Sequence, residues 1–244
     1  MIQQNQYINW VNFLIFVAFL GYPAQTSLSD DSPKFYEPLN QEIEGWQIKL
    51  DPKSMDDANR ETTQRALKAL ANHLQRIKYI VPKDRVAQLQ KLPIWIDWEH
   101  ELGAMQYHPS RGWLLSKGFD SRLVNHVHIP RIKALLDRGQ WEKHPYVVLH
   151  ELAHSYHDQV LGFEHEPTIA AYKAMKSAGF LEKVLDHRGR EVRHYALSNH
   201  KEYFAESTEA YFGMNDFFPF VRAELKKHDR KMYYVMTSVW GKID

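Results

Sequence analysis

Among the 244 residues, one run combines metal-ligating and proton-accepting side chains at helical spacing: His150-Glu151-Leu152-Ala153-His154. Residues four apart lie one above the other on a helix, so His150 and His154 can present two imidazoles to one ion while Glu151 points beside them. Neutral imidazole nitrogens hold zinc at about 2.0–2.1 Å, and three protein ligands leave a fourth position for water or a carbonyl oxygen. Zinc lowers the pKa of that water to about 7, and an adjacent carboxylate can take its proton. The chemistry indicated is hydrolysis of a peptide bond, with Glu151 as the base. Chance would supply such a match about one time in twenty at this composition, so a third ligand has to decide. Two other His-Glu pairs are incomplete: His100-Glu101 meets Ala104 where a second His is needed, and His165-Glu166 runs into Pro167.

His157 follows His154 by three residues and reads as an outer or surface residue, because extended zinc motifs place a third His farther on, past a Gly turn. Residues 195–212, YALSNHKEYFAESTEAYF, carry Glu202, Glu206 and Glu209 on one helical face at spacings of four and three. An acidic stripe is ordinarily solvated. This one is flanked by Tyr203, Phe204, Ala205, Tyr211 and Phe212, which marks a largely buried helix, and buried carboxylates need a cation or a donor. Glu202 is therefore the favoured third ligand, and Glu206, one turn later, the expected outer acceptor for a ligand imidazole.

The pairing of HELAH with a downstream Glu-aromatic-Phe-Ala-Glu, Glu202 to Glu206, resembles the gluzincin metallopeptidases of the anthrax lethal factor catalytic-domain type, a group that also includes the Pro-Pro endopeptidases. The resemblance is confined to residues 150–212. It implies a zincin-like fold and one Zn2+ per chain, held by His150, His154 and Glu202, with Glu151 as base. It also implies that Tyr195, seven residues before Glu202, donates to the oxyanion; Asn199 matches an Asn of the family's segment. A phenol near zinc makes sense on chemical grounds, since losing one such donor costs about 10²–10³ in rate. Without the resemblance Tyr195 would be an ordinary core tyrosine, and His194 beside it competes for the same role. The expected activity is a zinc endopeptidase acting on a peptide or protein. The alternative is a non-catalytic zincin-like module that keeps the metal and binds a peptide or surface, against which the intact base Glu151 argues.

The elements that must position these groups follow from periodicity and punctuation. Residues 45–50 predict a strand, and residues 55–80 a helix capped by Asp56 and ended by Pro82. A short helix is expected over 84–91, a β-type run over 94–97, a loop over 107–118 and a second strand over 124–129, bounded by Pro130. Helices are expected over 143–160, with Pro145 in the first turn and Gly162 as the stop, and over 168–178, 201–212 and 217–240. The class is α+β: a small mixed sheet in the first half packed on the HELAH helix, then a helical second half. Residues 41–244 form one expected domain, with a strand-containing part over 41–138 and a helical part over 139–244. The 124–129 strand is the candidate edge for an extended peptide. His126 and His128 on one of its faces are substrate contacts, a metal pair or plain surface. The Tyr107-His108-Pro109-Ser110 turn and Trp113 line a cleft or belong to a core.

Composition bounds the rest. Lys plus Arg number 31 and Asp plus Glu 30, so no global field favours nucleic acid or an anionic membrane. There are 14 His and no Cys, which removes disulfides, thiolate metal sites and cysteine nucleophiles. Residues 10–22 are almost wholly apolar, too few to span a bilayer, and precede Pro23-Ala24. They read as a signal peptide over 1–24, cleaved near Ala24, despite the lack of Lys or Arg in the first nine residues; an uncleaved anchor and a mis-called start codon are the alternatives. A polar linker over 25–40 follows. The expected location is secreted or periplasmic, with no stable membrane association after signal removal.

Overall fold

The computed structural model describes residues 35–243; the expected signal peptide, and the expected linker up to residue 34, lie outside them. Among the described residues no helix is long and apolar enough to cross a membrane. Five strands form a mixed sheet: β1 (Leu39–Ile43), β2 (Trp46–Leu50), β3 (Ile94–Ile96), β4 (Gln106–Tyr107) and β5 (Val127–Ile129). Their order is β1-β2-β3-β5-β4, with β2, β3 and β5 parallel and the two outer strands antiparallel to their neighbours. Leu39 and Asn40 already belong to β1, so the linker expected to reach residue 40 gives way earlier. The β1–β2 hairpin turns through Glu44 and Gly45, both at positive φ as a type I′ turn requires. A Cβ on Gly45 would lie 2.2 Å from the Gln90 side chain, whose amide donates to the Glu44 carbonyl.

Alternation sorts the strand residues into two layers. Ile48, Leu50, Ile94, Ile96, Val127 and Ile129 enter the main core. Lys49, Trp95 and His128, side by side in register, face the other way. Trp95 there joins Leu114, Phe119 and Leu123 in a smaller core. The expected edge strand is thereby corrected: β5 is interior and fully buried, and β4 is the outer strand. Two residues of β4 carry no readable period, which is why the segment reads as loop.

Helix α1 (Arg60–Ile80) packs Ala66, Leu70, Leu74 and Ile77 inward. It starts later than its apolar pattern suggests, because a 3-10 turn at Pro52–Met55 occupies the preceding residues; Asp56 offers Arg60 N–H its backbone carbonyl rather than a side-chain cap. Helices α2 (Lys83–Leu89), α3 (Arg111–Ser116) and α4 (Arg138–Lys143) are short; α3 lies in the expected loop and is capped by Ser110. Pro145 falls between α4 and α5 (Val147–Tyr156), outside both. A π turn, His157–Leu161, continues α5 to Gly162 at φ 80. Then come α6 (Glu166–Ala178), a hairpin of β6 (Val184–Leu185) and β7 (Glu191–Val192), and α7 (His200–Phe212). The hairpin makes the second half less purely helical than expected. The single helix expected over 217–240 is two, α8 (Arg222–His228) and α9 (Arg230–Trp240), parted at Asp229. The Asp229 carboxylate accepts from Met232 N–H to start α9 and from the Tyr203 hydroxyl of α7. The architecture is α+β.

Candidate metal centre

Every residue of α5 is buried, the pattern of a helix enclosed on all sides. Val148, Leu149, Leu152 and Ala153 belong to the main core, while His150, Glu151 and His154 line an open cleft of about 770 Å³. The other wall is α7. Its first turn is fixed by Asn199, whose side-chain oxygen accepts from Lys201 N–H at 2.9 Å and Glu202 N–H at 3.0 Å. Glu202 thus sits in a capped first turn, where the helix dipole favours a carboxylate.

The two helices bring three ligand atoms together. Nε2 of His154 lies 3.1 Å from Nε2 of His150 and 3.1 Å from Oε2 of Glu202; His150 Nε2 lies 3.4 Å from the same oxygen. Bonds of about 2.0–2.1 Å in a tetrahedron separate ligands by about 3.3 Å, so this triangle fits a small divalent ion. The His150 tautomer fits as well: Nδ1–H donates to Glu209 Oε1 at 2.6 Å, leaving the Nε2 lone pair for a metal. Burial would raise the Glu202 carboxyl, but the His150 and His154 imidazoles hold it well below the ordinary range. Burial pushes the Glu151 carboxyl up, toward the basicity useful in a general base.

Glu209 supports the triangle where Glu206 was expected to. The same Oε1 that accepts from His150 is 2.7 Å from His144 Nε2. Burial opposes ionisation of Glu209, yet the two imidazoles hold it at about 2. The geometry explains the correction. At about 100° per residue, Glu209 returns to within about 20° of Glu202's direction, whereas Glu206 is turned about 40° the other way. Glu206 lines the cleft instead, and burial beside Glu209 and Asp216 raises its carboxyl well above the usual range. His144, just ahead of α5, was not singled out from sequence; only the fold shows what it meets.

Tyr195 opens a 3-10 turn, Tyr195–Leu197, ahead of α7. Ala196 N–H donates to His194 Nδ1 at 3.0 Å, and the Tyr172 hydroxyl holds the Leu197 carbonyl at 3.0 Å. His194 is buried at 3% exposure while Tyr195 is 51% exposed and lines the cleft, so of the two only Tyr195 is free to meet a ligand there. Burial, with the Glu202 charge nearby, raises the phenol and keeps it a hydrogen-bond donor. His157 is neither surface nor a partner of the site: its buried ring packs on Phe204 and Phe163, with no hydrogen-bond partner for either nitrogen among the described residues. His126 and His128, expected on an exposed edge, are buried. Of the expected cleft turn, Tyr107 and Pro109 do line the cleft, and His108 is buried behind them.

Compared with known proteins, the chain matches no family model, and no curated protein or solved structure matches it significantly.

Proposed function

We propose that this chain is a zinc-dependent endopeptidase with a zincin-like fold, of the gluzincin kind its HELAH and Glu202–Glu206 segments resemble. The observation that carries the proposal is the triangle of His150, His154 and Glu202 ligand atoms, backed by Glu209 and opening on a cleft that also holds Glu151 and Tyr195. Zinc suits a donor set of two imidazoles and a carboxylate, and when bound it acidifies a water and polarises a carbonyl.

The chain's own residues supply the remaining steps. Glu151 accepts the proton of the attacking water at its carboxylate and returns it to the leaving amine. The Tyr195 hydroxyl donates to the carbonyl oxygen as negative charge develops there. Substrate is held in extended form along β4, the outer strand, whose Gln106 and Tyr107 line the cleft together with Ala104 and Met105 ahead of them. The apolar run ahead of Ala24 supports export, so the expected substrates are peptides or proteins outside the cytoplasm.

Cleavage profiling on a peptide library, with zinc quantified alongside, tests the proposal. The parent protein is expected to cleave, Glu151→Gln to keep its zinc but lose about 10²–10⁴ in rate, and Glu202→Ala to lose the zinc of this site. Equal rates for the parent and Glu151→Gln would remove the base. Zinc retention with no cleavage by the parent would favour a peptide-binding module.

A further inference from the structure

A second set of ligand-type side chains lies on the sheet face turned away from the main core. Asp97 follows β3, His128 is the middle residue of β5, His108 follows β4, and His100 belongs to the loop leading into β4. His128 Nε2 is 2.8 Å from Asp97 Oδ2, and His128 Nδ1 is 3.0 Å from His108 Nε2. One ligand atom each from Asp97, His100 and His128 lies within 4.8 Å of the others. The carboxylate is locked: its Oδ1 accepts from Trp95 Nε1–H at 3.1 Å and from the Tyr36 hydroxyl, which leaves Oδ2 facing the imidazoles. Aromatic rings enclose the group, Phe119 against His100 and Trp113 stacked on His108.

We propose that Asp97, His100 and His128 form a second divalent-cation site, with His108 as the outer partner of His128. Two imidazoles and one carboxylate select zinc and its first-row neighbours over calcium or magnesium, which take oxygen ligands. A metal at Nε2 of His128 would leave Nδ1 of that ring to donate to His108 Nε2, the contact already in place at 3.0 Å. His100 gives up one contact: its Nδ1 accepts from Leu102 N–H at 3.1 Å, and a neutral imidazole has one lone pair to give. The ion therefore trades a local turn for a bond joining the β3–β4 loop to β5. Among the described residues the core on this face holds four buried hydrophobic residues, Trp95, Leu114, Phe119 and Leu123, and a metal can supply folding energy that so small a cluster lacks. Because the loop runs straight into Gly103–Tyr107 on the cleft wall, the ion would hold the substrate-binding strand from behind.

This inference does not depend on the catalytic proposal, and one experiment separates the two. The full chain carrying His154→Ala and Glu202→Ala is loaded with Zn2+ alone, dialysed, and assayed for zinc per chain. We expect a single bound zinc. Adding His100→Ala, a half-buried loop position, should remove it; adding Asp97→Asn, which keeps an acceptor for Tyr36 and Trp95, should do the same. His108→Ala should weaken zinc binding about 10–100-fold. Circular dichroism establishes that each variant is folded. No zinc in the folded double variant, or zinc that survives both added substitutions, would overturn the proposal and leave a hydrogen-bonded network only. If the parent binds a single zinc that survives His154→Ala with Glu202→Ala and is lost with His100→Ala, the second site stands and the catalytic one falls.

Discussion

Glu209 has no exposed surface and gives a single oxygen to two imidazoles, His144 and His150. A carboxylate in that position fixes the ring orientation of His150 and would strengthen it toward a metal. Glu209→Ala is expected to weaken zinc binding about 10–100-fold in competition with a chelator, with the metal-bound fold retained. An unchanged affinity would mean that the His150 ring is held by its packing alone. A phenol keeps its proton at neutral pH, and burial with the Glu202 charge nearby pushes that of Tyr195 further in the same direction. Tyr195→Phe should bind metal and substrate as the parent does and turn over about 10²–10³ more slowly; normal turnover would sink the oxyanion role. The HELAH residues and Glu202 were legible as a candidate site because each has a fixed chemical requirement and helical spacing. Glu209 was visible as part of the acidic stripe. Its role was not, since choosing between Glu206 and Glu209 needs the packing angle of α7 on α5.

Two elements set the site's shape. The first turn of α7 depends on one side chain, Asn199, which satisfies the amides of Lys201 and Glu202. Asn199→Ala should lower stability by about 0.5–2 kcal/mol and weaken zinc binding through Glu202, while Asn199→Asp should restore most of both. Thermal melts with and without zinc would show it; an Ala variant as stable as the parent would assign the turn to packing. The outer strand β4 is tied to the end of α5 by the Tyr107 hydroxyl, which donates to Asp158 at 2.7 Å in the π turn. Long periodic helices such as α1 and α6 were readable along the chain. Short elements were readable only where apolar runs and prolines marked them, as at β2, α2 and β3; β4, α3 and the β6–β7 hairpin exist because neighbours supply their hydrogen bonds and burial, with too few residues each to show a period.

Across the whole molecule, several imidazoles are buried in the neutral form. Burial lowers His73 to about 4 and His157 and His194 to about 3. An unfolded chain takes up these protons near the ordinary value of about 6.5, so between that pH and about 3 the unfolded state binds more protons than the folded one. Their contribution to stability is therefore full above pH ~6.5 and is lost as the pH drops toward 3. His157→Leu isolates one share of this effect, because it also removes two nitrogens without hydrogen-bond partners among the described residues. In urea unfolding of chelator-treated protein, the variant should be more stable at neutral pH by about 1–3 kcal/mol and less sensitive to acid. Equal pH slopes would refute the assignment, and a destabilised variant would point to a buried water on that ring.

Residue identity and spacing along the chain were enough to single out His150, His154 and Glu202 as candidate ligands, to propose Glu151 as the base and to read the α+β class, because a ligand's chemistry and a helix's period are local properties. Which strand is the free edge, which carboxylate backs His150, and that His100, His108, His128 and Asp97 converge depend on strand order and on which face each side chain takes. Those are set by contacts between residues dozens of positions apart, such as Asp97 with His128 and His144 with Glu209. Only the folded chain brings them together.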